Sequence, residues 1–581
     1  MPDPQHVLAA RVQAALAAAF GPSYADADPV IRPSQFADLQ ANVALPLAKK
    51  LGRKPRDVAD EIVAHLDVAN LVSDVQVSGP GFINLTLSDA WIAAEAQRTL
   101  EDERLAVPAV EKPQKIVVEY SSPNVAKEMH VGHLRTTIVG DAIARILAFL
   151  GHEVVRDNHV GDWGTPFGML IEHLLDIGED AAARGDSSVS DLTAFYRAAR
   201  SKFDGDPEFA DRARRRVVAL QAGDPETLRL WQVLVDVSKR YFNSVYERLG
   251  VTLTDDDIKG ESFYNDLLAP TVQELVDKGI AVVSDGALCA FPPGFTGREG
   301  DPLPVIIRKS DGGYNYSTTD LATIRYRVDT EHVDRMVYVV GAPQSLHFEM
   351  VFAVARMAGW LGDGVRAEHA KIGNVLGTDG KILKTRAGDT PRLAGLVDDA
   401  VERAGAAFDE MQHDEEFDKA TRAAIVEAVG VGAIKYADLS VALDSEYVFD
   451  LDRMTSFHGK TGPYLQYATV RIRSIFRRGG IDPGTATGPI AIGHEAERAL
   501  ALKLLDFGAV VAQAGETCEP HRLAGYLFEL AQAFTAFFEN CPVLKAPDEE
   551  TRASRLALSA ATLRTLVTGL DLLGVPIPER M

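Results

Sequence analysis

Apolar positions along the chain change period several times, and each change predicts a change of element. Residues 6–20 form an Ala-rich amphipathic segment with Asp3 ahead of it, which reads as a first helix. Alternation at Val75-Gln76-Val77 and at Phe82-Ile83-Asn84-Leu85, parted by Gly79-Pro80-Gly81, predicts a pair of strands and their turn. Ser88 stands where the N-cap of the next helix belongs. Two prolines and several charges between Pro108 and Lys115 mark a boundary. Beyond it, Ile116-Val117-Val118-Glu119-Tyr120 reads as a strand. Ile138, Ile143, Ile146 and Leu150 follow along one helix that Gly151 ends, and Glu153-Val154-Val155-Arg156-Asp157 is a second strand. A crossover of this length implies a parallel sheet whose ligand site lies at the C-terminal ends of its strands.

Residues 165–304 are mostly helical in pattern and interrupt that sheet. The sheet is expected to resume at Val305-Ile306-Ile307-Arg308. A turn at Asp311-Gly312-Gly313 follows, then a helix from Thr319, a strand over 336–340 and a helix from Ser345. After Pro391 helical spacing continues to the end, with no internal repeat. The expected architecture is α/β: a Rossmann-type parallel-sheet domain with a helical insertion, preceded by an α+β domain and followed by an all-α domain. The expected divisions are 1–110, 111–390 with the insertion at about 165–304, a helical connection at 391–450, and 451–581.

Composition changes this picture little. At 581 residues the chain needs several cores. Its 46% hydrophobic and 25% charged residues are ordinary for a globular protein, and no apolar run is long enough to suggest a membrane span. The start lacks the pattern of a signal or transit peptide. Only Cys289, Cys518 and Cys541 occur, far apart, which excludes a disulfide framework or zinc knuckle and suits a reducing cytoplasm. A net charge of −23 argues against non-specific DNA binding but leaves room for a large, shaped RNA partner. The run Arg212, Arg214, Arg215, Arg216 reads as a solvated helix face.

The chemistry concentrates between the first strand and first helix of the βαβ unit. Ser121-Ser122-Pro123-Asn124-Val125-Ala126-Lys127-Glu128-Met129-His130-Val131-Gly132-His133 places two imidazoles and a glycine at a helix mouth. Backbone N–H groups and the helix dipole favour a polyphosphate there, and Gly132 lets a flat ring lie on the backbone. The glycines do not spell G-x-G-x-x-G, which argues against a dinucleotide site.

Further blocks follow in order: Asn158-His159-Val160-Gly161-Asp162-Trp163-Gly164, Ser310-Asp311-Gly312-Gly313-Tyr314, Thr318-Thr319-Asp320-Leu321-Ala322, Lys384-Thr385-Arg386-Ala387-Gly388-Asp389-Thr390, Ile434-Lys435-Tyr436-Ala437-Asp438-Leu439, Thr461-Gly462-Pro463-Tyr464-Leu465-Gln466-Tyr467-Ala468 and Pro578-Glu579-Arg580-Met581. In this order the set resembles class I aminoacyl-tRNA synthetases, and specifically the arginyl-tRNA synthetase family; His130-Val131-Gly132-His133 matches the class's "HIGH" motif. The resemblance implies a two-step ligase that uses arginine and Mg-ATP to make arginyl-adenylate, then transfers arginine to the terminal ribose of tRNA(Arg), 2′-hydroxyl first. It also implies activation that depends on bound tRNA, and a monomer without zinc, membrane or DNA partner.

It implies roles as well. His130, Gly132, His133, Lys127, Lys381, Lys384 and His347 would face ATP, with His130, His133, Lys127 and Lys384 catalytic. Glu119 and Asp320 would hold the guanidinium beside Tyr316, and Ser122, Asn124, His130 and Gln344 the rest of arginine. Bidentate carboxylate pairing suits a guanidinium and fits an ammonium badly. The class's lysine loop "KMSKS" is altered here to Lys381-Ile382-Leu383-Lys384-Thr385-Arg386, so its phosphate lysine stays open among Lys127, Lys381 and Lys384. Asp320 could instead cap a helix beside Thr319. Tyr464, Gln466, Tyr467, Arg471 and Arg473 would contact tRNA by stacking and phosphate neutralisation. A small-molecule adenylyltransferase and a catalytically silent tRNA-binding paralogue are the competing readings.

Overall fold

The computed structural model describes residues 3–178, 192–384, 390–411 and 416–581. Asp3 caps the Pro4–Phe20 helix by accepting the Gln5 N–H. A four-stranded antiparallel sheet follows, in the order Ile31–Pro33, Leu39–Ala41, Phe82–Leu87, Val72–Ser78. Gly81 turns its hairpin at φ +130°, and a Cβ there would meet the Pro55 carbonyl at 2.7 Å. Ser88 caps the Asp89–Glu101 helix through Trp91 N–H. This unit is latched to the C-terminal helices by Arg498, whose two Nη atoms grip both Asp38 oxygens at 2.7–2.8 Å.

A second four-stranded sheet is parallel throughout, in the order Arg366–Ile372, Arg335–Gly341, Lys115–Glu119, Glu153–Asp157. Ile116, Val117 and Val118 are buried on both faces, as a central parallel strand requires. Val305–Arg308 does not belong to this sheet. It pairs antiparallel with Ala287–Ala290, itself antiparallel to Ala281–Ser284, in a separate three-stranded sheet. A four-residue apolar run reads the same in either setting, so the parallel sheet in fact resumes only at Arg335. The insertion before it packs Pro166–Ile177, Leu192–Gly205, Pro207–Gln221 and Pro225–Leu249 together. Within it Arg212 and Arg216 bond to buried Glu172, while Arg214 and Arg215 stay exposed.

Helices Leu393–Asp409, Lys419–Leu439, Gly462–Gly479, Glu495–Leu505, Phe507–Thr517, Pro520–Asn540 and Glu549–Leu572 complete the chain. Their seat on the parallel-sheet domain includes a buried pair, Arg135 Nε to Asp438 Oδ1 at 2.6 Å. Among the described residues no helix is long and apolar enough to cross a membrane.

Candidate active site

The loop after the first strand is bent against its own preferences. Ser121, Ser122 and Ala126 take φ of +71°, +48° and +60°, a region that non-glycine residues enter only when held. The holding groups come from elsewhere. Tyr246 OH lies 2.7 Å from Ser121 Oγ, Asn158 Oδ1 accepts Ser122 N–H at 3.0 Å, and Ser238 Oγ accepts Ala126 N–H at 2.9 Å. Tyr246 and Ser238 lie on the Pro225–Leu249 insertion helix, so the insertion shapes the loop. Ser122 Oγ remains buried without a protein partner, and Asn124 is exposed beside it.

His130 caps the Val131–Leu150 helix, with His133 at the third position. His130 Nδ1 accepts Gly132 N–H at 3.0 Å, and His133 Nδ1 accepts His130 N–H at 3.1 Å. A ring nitrogen that accepts a backbone N–H carries no proton, so each neutral imidazole holds its hydrogen on Nε2. The rings lie 4.0 Å apart. Burial lowers the His130 pKa, helped by Lys127; burial, His130 and Lys127 together bring His133 down to about 3. Two neutral Nε2–H donors therefore stand at the positive end of a twenty-residue helix. A Cβ at position 132 would meet the His130 ring at 2.7 Å, so any side chain there would push that ring out of its cap.

A second set of candidate groups stands on one face of the Tyr316–Asp329 helix. Tyr316, Asp320 and Arg327 follow at i, i+4 and i+11, which is a single stripe. Exposure falls along it, from 65% at Tyr316 through about 20% at the Asp320 side chain to none at Arg327. Asp320 is not the cap: Asn315 caps this helix with Thr318, and Asp320 Oδ2 instead bonds His347 Nε2 at 2.6 Å. Tyr316 packs edge-on against His347 at 4.9 Å, so His347 stands with Asp320 and Tyr316. Gln344 is exposed at the start of the Ser345–Met357 helix.

At the buried end Glu119 is already engaged. Arg327 donates to Glu119 Oε2 at 2.6 Å and to Asp157 Oδ2 at 2.9 Å. Burial raises the Glu119 pKa against the pull of Arg327. Glu119, Asp157 and His159 offer ligand atoms within 4.8 Å of one another, but the Arg327 guanidinium already occupies one oxygen of each carboxylate, so the group does not suit a metal ion. Two residues escape sequence reasoning here. Arg327 could have been found from its i+7 spacing to Asp320. Glu261 could not: it opens a 3₁₀ turn within the insertion, after the Pro225–Leu249 helix, and burial with Asp162 and Asp320 nearby pushes its carboxyl up to about 7.

Lys381 sits in a tight turn closed by Gly377 N–H to Lys381 C=O at 2.7 Å, and both Lys381 and Lys384 are exposed. Thr385 to Asp389 of the lysine loop lie outside the described residues. Beyond them the chain returns to the histidine loop, with Val131 N–H bonding Pro391 C=O at 3.0 Å and Arg392 Nε meeting Glu128 at 2.9 Å. Lys127 is exposed with its Nζ 4.3 Å over the Tyr196 ring.

In the C-terminal helices one expectation fails. Gln466 is fully buried, donating to Ala428 C=O at 2.8 Å and Pro576 C=O at 2.6 Å, so it fastens the helices and cannot meet RNA. It fits because Gly432 beside it has no Cβ; one would fall 2.3 Å from Gln466 Nε2. Arg473 faces the same inward side and bonds Pro578 C=O at 3.0 Å. Tyr464, Tyr467 and Arg471 share the opposite side, where Tyr467 is 37% exposed and Arg471 lies 4.2 Å over Phe538.

Polar groups gathered at the C-terminal ends of parallel strands, facing neutral donors at a helix mouth, define a nucleotide-activating α/β enzyme. Residues 95–451 match the family model described as tRNA synthetases class I (R), catalytic domain; residues 465–581 match the DALR anticodon binding domain and residues 6–87 the arginyl tRNA synthetase N terminal domain. The chain is 66% identical over 581 residues to a protein of Thermobifida fusca named arginine–tRNA ligase, all of both chains being covered. It is 54% identical over 571 residues to one of that name from Frankia casuarinae, covering 96% of each. The arginyl-tRNA synthetase structure from Plasmodium falciparum superposes with a TM-score of 0.83 at 27% identity over 99% of each chain. That from Thermus thermophilus gives 0.80 at 26%, over 99% of this chain and 100% of its own. The chain belongs to the class I tRNA synthetases, in the arginyl-tRNA synthetase family.

Proposed function

We infer that the chain activates L-arginine with ATP and transfers it to the 3′-terminal ribose of tRNA(Arg), releasing pyrophosphate and then AMP. The observation that carries the reading is the Arg327–Glu119 contact, which ties the carboxylate stripe to the end of the strand that leads into the loop bearing two neutral Nε2–H donors. Arginine lies along the stripe, its guanidinium between Asp320 and the free Oε1 of Glu119, with Tyr316 beside it. Ser122 Oγ, Asn124 and Gln344 take its amino and carboxyl groups; the buried, unpartnered Ser122 hydroxyl supports this. ATP enters as its magnesium complex over Gly132.

The arginine carboxylate attacks the α-phosphorus and pyrophosphate leaves. His130 and His133 donate to the oxygens on which charge grows, an effect of about 3–4 kcal/mol per donor. Lys127 approaches the phosphates from the same loop, with Lys381 and Lys384 on the facing turn. The terminal ribose hydroxyl of tRNA then attacks the adenylate carbonyl and AMP departs. We assign Tyr464, Tyr467 and Arg471 to the tRNA, with the exposed Tyr467 foremost and Tyr464, packed against Phe528, offering only its open edge. His347 acts through Asp320, which its Nε2 touches, in addition to any nucleotide contact. We propose a monomer in a reducing cytoplasm, the latter supported by three buried, unpaired cysteines.

The test is aminoacylation of tRNA(Arg) with arginine and ATP, with and without tRNA, and with lysine as competitor. Charging specific to arginine is expected. Pyrophosphate exchange indifferent to RNA, with no charging, would instead indicate an adenylyltransferase; no reaction at all would leave a binding-only role.

A further inference from the structure

Besides Tyr246 and Ser238, the helical insertion sends an aromatic ring to the histidine loop. Lys127 Nζ lies 4.3 Å over the ring of Tyr196, and no carboxylate pairs with Lys127 among the described residues. The neighbouring Glu128 is engaged by Arg392. Tyr196 belongs to the Leu192–Gly205 helix, whose Leu192, Phe195 and Ala199 form its buried stripe. Tyr196 follows Leu192 by one turn, at the edge of that stripe, and is half-buried. Phe195 is fixed against His173 at a ring distance of 5.0 Å, so the helix cannot roll freely and the Tyr196 face stays in place. The backbone of Lys127 is anchored on the other side by Ser238, through Ala126 N–H.

We propose that Tyr196 is a positioning residue for adenylate formation, holding the Lys127 ammonium beside the histidine pair for the phosphates of ATP. This rests on the reading of Lys127 as a phosphate lysine. A lysine is a flexible chain with a compact charge, and its freedom opposes any fixed use of that charge. A carboxylate partner would order it but would compete with phosphate for the same N–H groups. An aromatic face orders it differently, taking one side of the ammonium electrostatically and leaving N–H donors free for oxygens. The attraction is weak enough to yield to a polyphosphate. Lys127 is close enough to act electrostatically on both His130 and His133, which places its charge at the same helix mouth.

The experiment is ATP–pyrophosphate exchange by the full chain with arginine and tRNA(Arg), at varied ATP, for Tyr196→Leu, Tyr196→Phe, Lys127→Ala and the Tyr196→Leu/Lys127→Ala pair. Tyr196→Leu is expected to lower kcat/KM for ATP roughly 3- to 30-fold while leaving KM for arginine alone. Tyr196→Phe, which keeps the ring face, restores the wild-type value, and Tyr196→Leu has no further effect in the Lys127→Ala background. Wild-type exchange by Tyr196→Leu, with Lys127→Ala slow, overturns the positioning role alone, as does a full Tyr196→Leu effect persisting in the Lys127→Ala background. Undiminished exchange by Lys127→Ala overturns the phosphate-lysine reading itself, and the role of Tyr196 with it.

Discussion

Arg327 donates from Nη2 to Oε2 of Glu119 at 2.6 Å, so the carboxylate expected to receive a substrate guanidinium already holds one from the protein. The same Nη2 reaches Asp157, so one cation is shared by two buried carboxylates. Removing it strands both. Arg327→Met should cost about 3–5 kcal/mol in urea unfolding, and adding Glu119→Gln should return part of that. A loss below about 1 kcal/mol would contradict the pairing.

Asp320 is the accessible carboxylate on the same stripe, and it touches His347 rather than any helix N–H. Asp320→Ala should raise KM for arginine by roughly 10- to 100-fold, the worth of a charged hydrogen bond, while KM for ATP moves less than threefold. Equal loss for both substrates would make Asp320 structural.

His133 answers to acid in a definite direction. Its pKa falls to about 3, so it stays neutral between pH 8 and 6, with Nδ1 accepting and Nε2–H donating. His133→Ala should slow adenylate formation by about 10²–10³-fold, without creating or abolishing an acidic limb in that range. In stability the sign follows from a depressed folded pKa: the unfolded chain binds the proton first. The contribution is present above pH 6.5 and is lost as pH falls from there toward 3. Urea midpoints at pH 7 and pH 5 should therefore differ less in His133→Asn than in the wild type.

Glu261 carries the opposite sign. Burial, Asp162 and Asp320 raise its carboxyl to about 7 while His159 opposes them, so it gains charge as pH rises from 6 to 8. That charge adds to Asp320 in attracting a cationic substrate. KM for arginine should fall a few-fold over this interval, and Glu261→Gln should flatten the change. Folding meanwhile binds a proton between pH 4.5 and 7, so stability from this group is lost as pH climbs, and Glu261→Gln should be the more stable protein at pH 8.

Neighbours on one helix should part company. Gln466→Ala should lower stability by about 2 kcal/mol by removing two side-chain hydrogen bonds to half-buried carbonyls from a fully buried position. Tyr467→Ala should leave unfolding nearly unchanged and weaken tRNA binding roughly tenfold, the worth of one stacked base. A tRNA defect in Gln466→Ala at full stability would reverse the assignment.

What could be read without coordinates was local. Asp3, Ser88 and Gly151 announce helix ends because a cap is satisfied within three or four residues of chain. The histidine loop was legible for the same reason, since strand, turn and helix mouth are contiguous. The helical spacing after Pro391 gives no sign of the break at Asp506 that parts Glu495–Leu505 from Phe507–Thr517, because apolar periodicity runs on across it.

Tertiary structure alone decided which polar groups meet. Arg327 and Glu119 are 208 residues apart, and their pairing is forced by burial, which leaves a charge no water and so demands a counter-charge. The same pressure turned Gln466 inward and placed Val305–Arg308 in a second sheet, since periodicity reports which face of an element is apolar but not what covers it. Sequence determined the reagents, two imidazoles at a helix mouth and a carboxylate four residues past a tyrosine. Packing decided which of their atoms are spent on the protein and which remain for a ligand.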